Sequence, residues 1–284
     1  MKAERSVPEG AVRLYLEHLR ARNLRNSTVY NRWCALRRLS EYFGGPVLYL
    51  NEGQLRAWQN ARTTQITPAA RASELSNVCE FFRWALTERL RDDDPTVRLA
   101  RPRTPRRMPR PIPDGQIAAA MVNAPYDIRV VLGLAAFAGL RACEISRLDF
   151  SEVGYFEDPP MIRINEGKGG KGRLVPLAPS LAEMLLALPH QHGPVIRGKN
   201  GNRSQLLPHR ISQLANIYLH ANGVPGTLHQ LRHRFATSTY RACRDIRAVQ
   251  ELMGHSSPAT TAIYAAASPQ VALEAVLSAS TFAA

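Results

Sequence analysis

Residues 101–113 read RPRTPRRMPRPIP, with five prolines, five arginines and no acidic residue. Proline fixes φ and removes a backbone donor, so a run this dense cannot continue a helix or sit inside a sheet. It favours an extended, semi-rigid strap. The 284 residues are enough for two ordinary domains. The strap therefore predicts a helical domain over 1–100, a linker over 101–113 and a second domain over 114–284. A basic strap between two lobes suits a polyanion held between them, most simply duplex DNA.

Apolar spacing before the strap predicts four helices. Val12, Leu16 and Leu19 keep one helical face. Asn26-Ser27-Thr28 supplies a cap for a helix carrying Val29, Leu36, Leu39 and Phe43, closed by Gly44-Gly45. A shorter helix follows Asn51 through Leu55 and Trp58. Thr67-Pro68 is a cap with proline in the first turn, and the helix that follows is expected to bury Leu75, Val78, Phe82 and Leu86. The result is a small bundle in which Trp33, Trp58 and Trp84 read as core. Arg22, Arg25, Arg32, Arg37 and Arg38 crowd its first two helices, either as ordinary helix surface or as a face for phosphates.

Beyond the strap, Asp114 is expected to cap a helix ending near Asn123. Asp127 to Ala138 is apolar enough to be buried. Gly139-Leu140-Arg141 then turns into a helix over Ala142 to Leu148. Arg141 thus stands at a helix N-terminus, which itself attracts anions. Glu144, one turn on, reads equally as a partner for Arg141 or as a cap. The segment MIRINEGKGGKGRLVPL, residues 161–177, is the one clear β signal, with Ile162, Ile164, Leu174 and Leu177 expected inside. Its glycine-rich turn carries Lys168, Lys171 and Arg173, and its glycines allow close approach to a partner. The order of a phosphate-binding P-loop is missing. Further helices are expected at Leu181–Leu188 and His209–Ala221. The fold class is therefore mainly α with a small antiparallel β-sheet in the second domain.

The stretch from Thr227 to Tyr264 gathers His229, Arg232, His255 and Tyr264 on three short consecutive helices. His229 and Arg232 share a face; His233 and Arg234 are expected to point elsewhere. Arginine offers a planar fork of donors for phosphate oxygens. Tyrosine can form a covalent intermediate, and histidine moves protons near neutral pH. If these groups converge, they suit attack of a tyrosine on a phosphodiester.

Composition agrees with a nucleic-acid partner: the net charge is +14. Of 37 basic residues only four are lysine, and two of those, Lys168 and Lys171, share the one turn. Lysine can give up a proton where arginine cannot. Cys34, Cys79, Cys143 and Cys243 have no zinc-like spacing and read as scattered buried thiols. No acidic cluster suits paired magnesium ions, so no metal or cofactor is expected. No apolar run approaches membrane-spanning length, and the N-terminus lacks a signal-peptide core, so a soluble cytoplasmic protein is expected.

Four fragments, taken in order, resemble the tyrosine recombinases of the phage integrase and Xer type. They are AGLRACEISRL around Arg141, GKGGKGRLVPL around Lys168, HQLRHRFAT from His229, and LMGH running on to Tyr264. The resemblance covers nearly the whole chain. It implies a four-helix SAM-like core-binding domain followed by a catalytic domain. It also implies that Tyr264 attacks a DNA phosphate, giving a 3′-phosphotyrosine and a free 5′-hydroxyl. Arg141 and Arg232 would clamp the non-bridging oxygens. Lys168, or failing it Lys171, would protonate the leaving oxygen. His229 would serve as acid/base or hydrogen-bond partner, and His255 would contact the phosphate and position the tyrosine.

The family acts on double-stranded DNA as a homotetramer, so the segment from Pro269 is expected to dock on a neighbouring copy. No separate arm-binding domain is expected before the core-binding helices. Integration or excision of a phage or mobile element is the favoured setting, with Xer-like resolution of chromosome dimers as the alternative. A type IB topoisomerase-like relaxase and a non-enzymatic DNA-binding regulator are the rival activities.

Overall fold

A computed structural model describes residues 10–104, 112–165, 172–198, 205–254 and residue 261. The chain divides into two compact units, Met1–Arg106 and Arg107–Ala284, parting within the proline- and arginine-rich stretch. Among the described residues no helix is long and apolar enough to cross a membrane.

The first unit packs four helices: α1 (Gly10–Ala21), α2 (Asn26–Phe43), α3 (Glu52–Ala61) and α4 (Pro68–Thr87). Their apolar faces meet in one cluster that includes Tyr15, Leu36, Leu39, Leu55, Trp58 and Phe82. Trp58 and Trp84 are buried, and Trp33 packs partly buried against the cluster. Asn51 and Gln54 close a reciprocal capping box on α3, and the Thr67 hydroxyl caps α4 ahead of Pro68. The cap expected from Asn26 is not made: Asn26 is itself the first helical residue, and Arg25 before it offers no side-chain cap. Several of the helix cations are held by acids of this same unit. The buried Glu74 carboxylate takes Arg62 through both its oxygens and Arg38 at 2.7 Å, Arg32 pairs with Glu80, and Arg37 pairs with Glu41.

The second unit is built round α6 (Tyr126–Phe137), in which every residue from Val130 to Ala136 is buried. Around it pack α8 (Pro179–Leu186), α9 (Pro208–Ala221) and α10 (Leu228–Cys243). A helix buried on most sides must be apolar all round, which is why this segment shows no polar face. The unit also contains α5 (Asp114–Val122), α7 (Ala142–Arg147) and α11 (Ile246–Met253). Asp114 is the first helical residue of α5, not its cap, and its carboxylate instead receives Arg234 at 2.7 Å. Cys243, at the end of α10, is exposed rather than buried.

Strands β1 (Val153–Gly154), β2 (Met161–Ile164) and β3 (Arg173–Pro176) form an antiparallel sheet in the order β1-β2-β3. The first of these was not expected; at two residues it is too short to show an alternation. The inward set on β3 also differs from expectation. Val175, opposite Ile162, is 1% exposed, whereas Leu174, opposite Arg163, is 49% exposed. Side chains alternate along a strand, so this phase turns Arg173 and Val175 inward together and Leu174 out.

Helix α6 ends in a turn whose Gly139 has φ +64, and an added Cβ there would lie 2.4 Å from the Phe235 ring. Both the left-handed backbone and the ring require glycine. Gly139→Ala is expected to cost about 2–4 kcal/mol through strain and overpacking. An unchanged denaturant midpoint in that variant would show that the turn does not fix the junction between α6 and α7.

Candidate active site

Helix α7 begins at the Gly139 turn, and its N-terminus is closed by Glu144 in its first turn. The Arg141 backbone N–H donates to Glu144 Oε2 at 2.9 Å, and Arg141 Nη1 donates to Oε1 at 2.8 Å. Glu144 therefore caps the helix and orients Arg141 at once. It also receives Arg173 from β3, through Nη1 at 3.0 Å and Nη2 at 2.8 Å. Arg232 of α10 places Nη1 3.7 Å from Oε2. One carboxylate, 1% exposed, thus faces guanidiniums from three separate elements.

The same three arginines meet α11. Asp245 caps this helix at its start, and Gly254, at φ +58, closes its end. The last carbonyls of a helix lack intrahelical donors and carry the negative end of its dipole. Here the Leu252 carbonyl accepts from Arg173 Nε at 2.7 Å, that of Met253 from Arg232, and that of Gly254 from Arg141 at 3.1 Å. Arg232 also donates to the Gly139 carbonyl. The end of α11, the start of α7, β3 and α10 are therefore joined at one point.

Arg141, Arg232 and His229 line one open cleft of about 360 Å³, together with Cys143, His209 and Ser212. His229 and Arg232 come from the same face of α10, whose start is closed by a capping box between Thr227 and Gln230. The expectation that His233 points elsewhere fails. Its ring stands edge-on to that of His229, with centroids 4.5 Å apart, because residues four apart lie on one helical face. Of the six sequence-predicted site residues, Arg141, His229 and Arg232 are thus brought together. Lys168, His255 and Tyr264 lie outside the described residues, as do Lys171 and the segment from Pro269. Thr261, three residues before Tyr264, is fully buried.

The electrostatics follow from these contacts. Burial alone would raise the Glu144 pKa, but the hydrogen bonds and charges of Arg173 and then Arg141 outweigh it and hold it at about 2. His229 reaches solvent at the cleft mouth, yet packing round the rest of its ring lowers its pKa, and the charges of Arg232 and Arg141 lower it further. His233 is pushed down to about 4, first by burial and then by His229 and Arg232. Both imidazoles are therefore neutral at neutral pH. Among the described residues no three His, Cys, Asp or Glu side chains converge as a metal site.

Two participants escaped sequence reading. Arg173 read as part of the exposed turn because Leu174 was placed inside; starting the alternation from Val175 would have found it. His233 was legible in principle from its spacing of four from His229.

Residues 115–270 match the phage integrase family. Tyrosine recombinase XerD of Ralstonia nicotianae is 32% identical over 287 residues, covering 88% of this chain and 86% of its own length. Tyrosine recombinase XerD of Caulobacter vibrioides is 32% identical over 227 residues, covering 73% of each chain. Among solved structures, a lambda integrase dimer bound to a COC′ core site aligns at a TM-score of 0.73 and 20% identity, covering 89% of this chain and 75% of that one. The XerH recombinase bound to palindromic difH substrate, a post-cleavage complex, aligns at 0.71 and 19% identity, covering 94% and 84%. At these identities the structural likeness establishes the shared fold.

The folded pKa of Glu144, about 2, lies below its ordinary value of 4.5. Its contribution to stability is therefore complete above pH 4.5 and lost as pH falls through about 2, a loss of order 3 kcal/mol. Denaturant unfolding between pH 7 and pH 2 should show Glu144→Gln to be less stable at pH 7 and flatter over the acid range. An acid limb as steep as that of the parent protein would contradict this.

Proposed function

Since this chain belongs to the phage integrase family of tyrosine recombinases, we propose that Arg141, Lys168, His229, Arg232, His255 and Tyr264 are the residues with which it cleaves and rejoins DNA. Its activity is site-specific DNA recombination, and its partner is DNA. The observation that carries the residue assignment is the cleft itself. Arg141 and Arg232 line it beside a neutral His229, and both are tied to the end of the helix from which the chain continues to His255 and Tyr264.

In this reading Tyr264 Oη attacks the scissile phosphorus. A phosphorus–oxygen bond to tyrosine forms and the bond to the 5′-oxygen breaks. The phenolic proton passes to His229, which burial and the nearby arginines keep in the neutral, proton-accepting form. Lys168 supplies a proton to the departing 5′-oxygen. Arg141 and Arg232 oppose the charge that grows on the non-bridging oxygens, the usual task of arginine in phosphoryl transfer. His255 holds the phosphate and the tyrosine in register. The products are a 3′-phosphotyrosine and a 5′-hydroxyl, and attack by a hydroxyl of the second strand reverses the same steps. Rejoining needs no outside energy source, because the phosphotyrosine retains the phosphodiester bond energy.

Tyr264→Phe is expected to bind DNA as the parent protein does and to form no covalent adduct on a nicked suicide site. Adducts that persist would place the nucleophile elsewhere. On the same site Lys168→Ala should cleave slowly, and a 5′-bridging sulfur, a better leaving group, should restore the rate; a defect that sulfur leaves unchanged would count against the proton-donor role.

Exchange also requires four copies on two duplexes, and the segment 269–284 is assigned to docking between copies. Removing it should leave binding to a single half-site intact while abolishing exchange between two matched sites. Exchange at the parent rate would overturn that assignment. Relaxation of any supercoiled plasmid without exchange would favour a topoisomerase-like activity.

A further inference from the structure

Arg173 stands outside the assigned set, yet all three nitrogens of its guanidinium are engaged within the site. It opens β3 opposite Ile164, its side chain is 7% exposed, and its fork closes on both oxygens of Glu144. Its Nε caps the Leu252 carbonyl at 2.7 Å. A Cβ on Gly254 would come within 3.0 Å of Arg173 Nη1, so the close of α11 leaves just the room this guanidinium occupies.

The charge arrangement gives this contact a consequence. Arg141 Nη1 also donates to Glu144 Oε1, and Arg232 is 3.7 Å from Oε2. Without Arg173, the carboxylate would compensate one of the two arginines that line the cleft. With Arg173 present, these three guanidiniums and the one carboxylate carry a net two positive charges, and Arg141 and Arg232 bring them to the cleft. A phosphodiester carries one negative charge and gains a second as it approaches a pentavalent transition state, so this balance matters most at that point.

We propose that Arg173 is a positioning residue for phosphate cleavage: by pairing with Glu144 and capping the end of α11, it leaves the charges of Arg141 and Arg232 to the DNA phosphate. The proposal rests on the assignment of those two arginines as the phosphate clamp.

The test uses the full-length protein in single-turnover covalent-adduct formation on a nicked site, with DNA binding measured separately. Two DNAs are compared, one with a normal scissile phosphate and one with a methylphosphonate there, which lacks the negative charge. Arg173→Gln is expected to bind DNA within a few-fold of the parent protein and to form adduct about 100-fold more slowly on phosphate DNA. On methylphosphonate DNA its deficit should shrink to roughly 3-fold or less, because little charge remains to be opposed. Arg173→Lys, which keeps the charge and loses the fork, should fall between the two on phosphate DNA, and it carries the same comparison if the glutamine variant does not fold. An equal deficit on both DNAs would reduce Arg173 to a packing role and overturn the proposal, as would a parent-like rate on phosphate DNA. The underlying assignment fails in a different way: Arg141→Gln would then cleave phosphate DNA at the parent rate.

Discussion

A carboxylate removed from water must be compensated where it stands, and in this protein that obligation falls on Glu144. Taking an ion from water costs several kcal/mol even after relaxation, and the cost is met only by close, complete pairing. Glu144 has four hydrogen bonds, two to each oxygen, and a third guanidinium close by. Its partners arrive from the junction before α7, from β3 and from α10. None of these elements can shift far without leaving a buried charge less completely paired. The carboxylate is thus the point at which four pieces of the second unit agree on a position.

The end of α11 completes the arrangement. Helix C-termini carry unsatisfied carbonyls and partial negative charge, and three arginines supply donors to three consecutive ones. Two of these side chains, Arg141 and Arg232, also line the cleft, so the groups that face it help to fix where α11 stops. The positive charge gathered here is costly in the absence of an anion, and a site with that imbalance is suited to a phosphate whose charge increases during reaction. The neutral imidazoles beside it follow first from burial and then from the same charges, since Arg232 and Arg141 further disfavour protonation of His229.

Much of the fold was legible because it depends on local signals. The caps at Asn51 and Thr67 and the glycine stops at Gly139 and Gly254 each act over one helical turn, and the apolar run of α6 is continuous in sequence. Arg141, His229 and Arg232 could be picked out through the order of motifs in which they stand. The misses have a common cause. Glu144 read equally as cap or partner because its spacing permits both; only the packed structure shows that it does both. Arg173 was hidden by a one-residue error of phase on a four-residue strand, where two apolar neighbours, Leu174 and Val175, gave the alternation two possible starts. Asn26 and Asp114 are good capping types that lie one position inside their helices. Contacts made across the fold, such as Arg173 to Leu252, leave no trace in local periodicity.

The state of the Glu144 carboxyl tests the account most directly. Carbon-13 labelling of glutamate side chains, with the Glu144 resonance assigned by its loss in Glu144→Gln, allows that one group to be titrated in the folded protein. The arrangement of three guanidiniums predicts that its signal stays that of a carboxylate from pH 7 down through pH 4, with a midpoint near 2. A midpoint at or above the ordinary 4.5 would contradict it, because the arginines would then not be held by a buried negative charge.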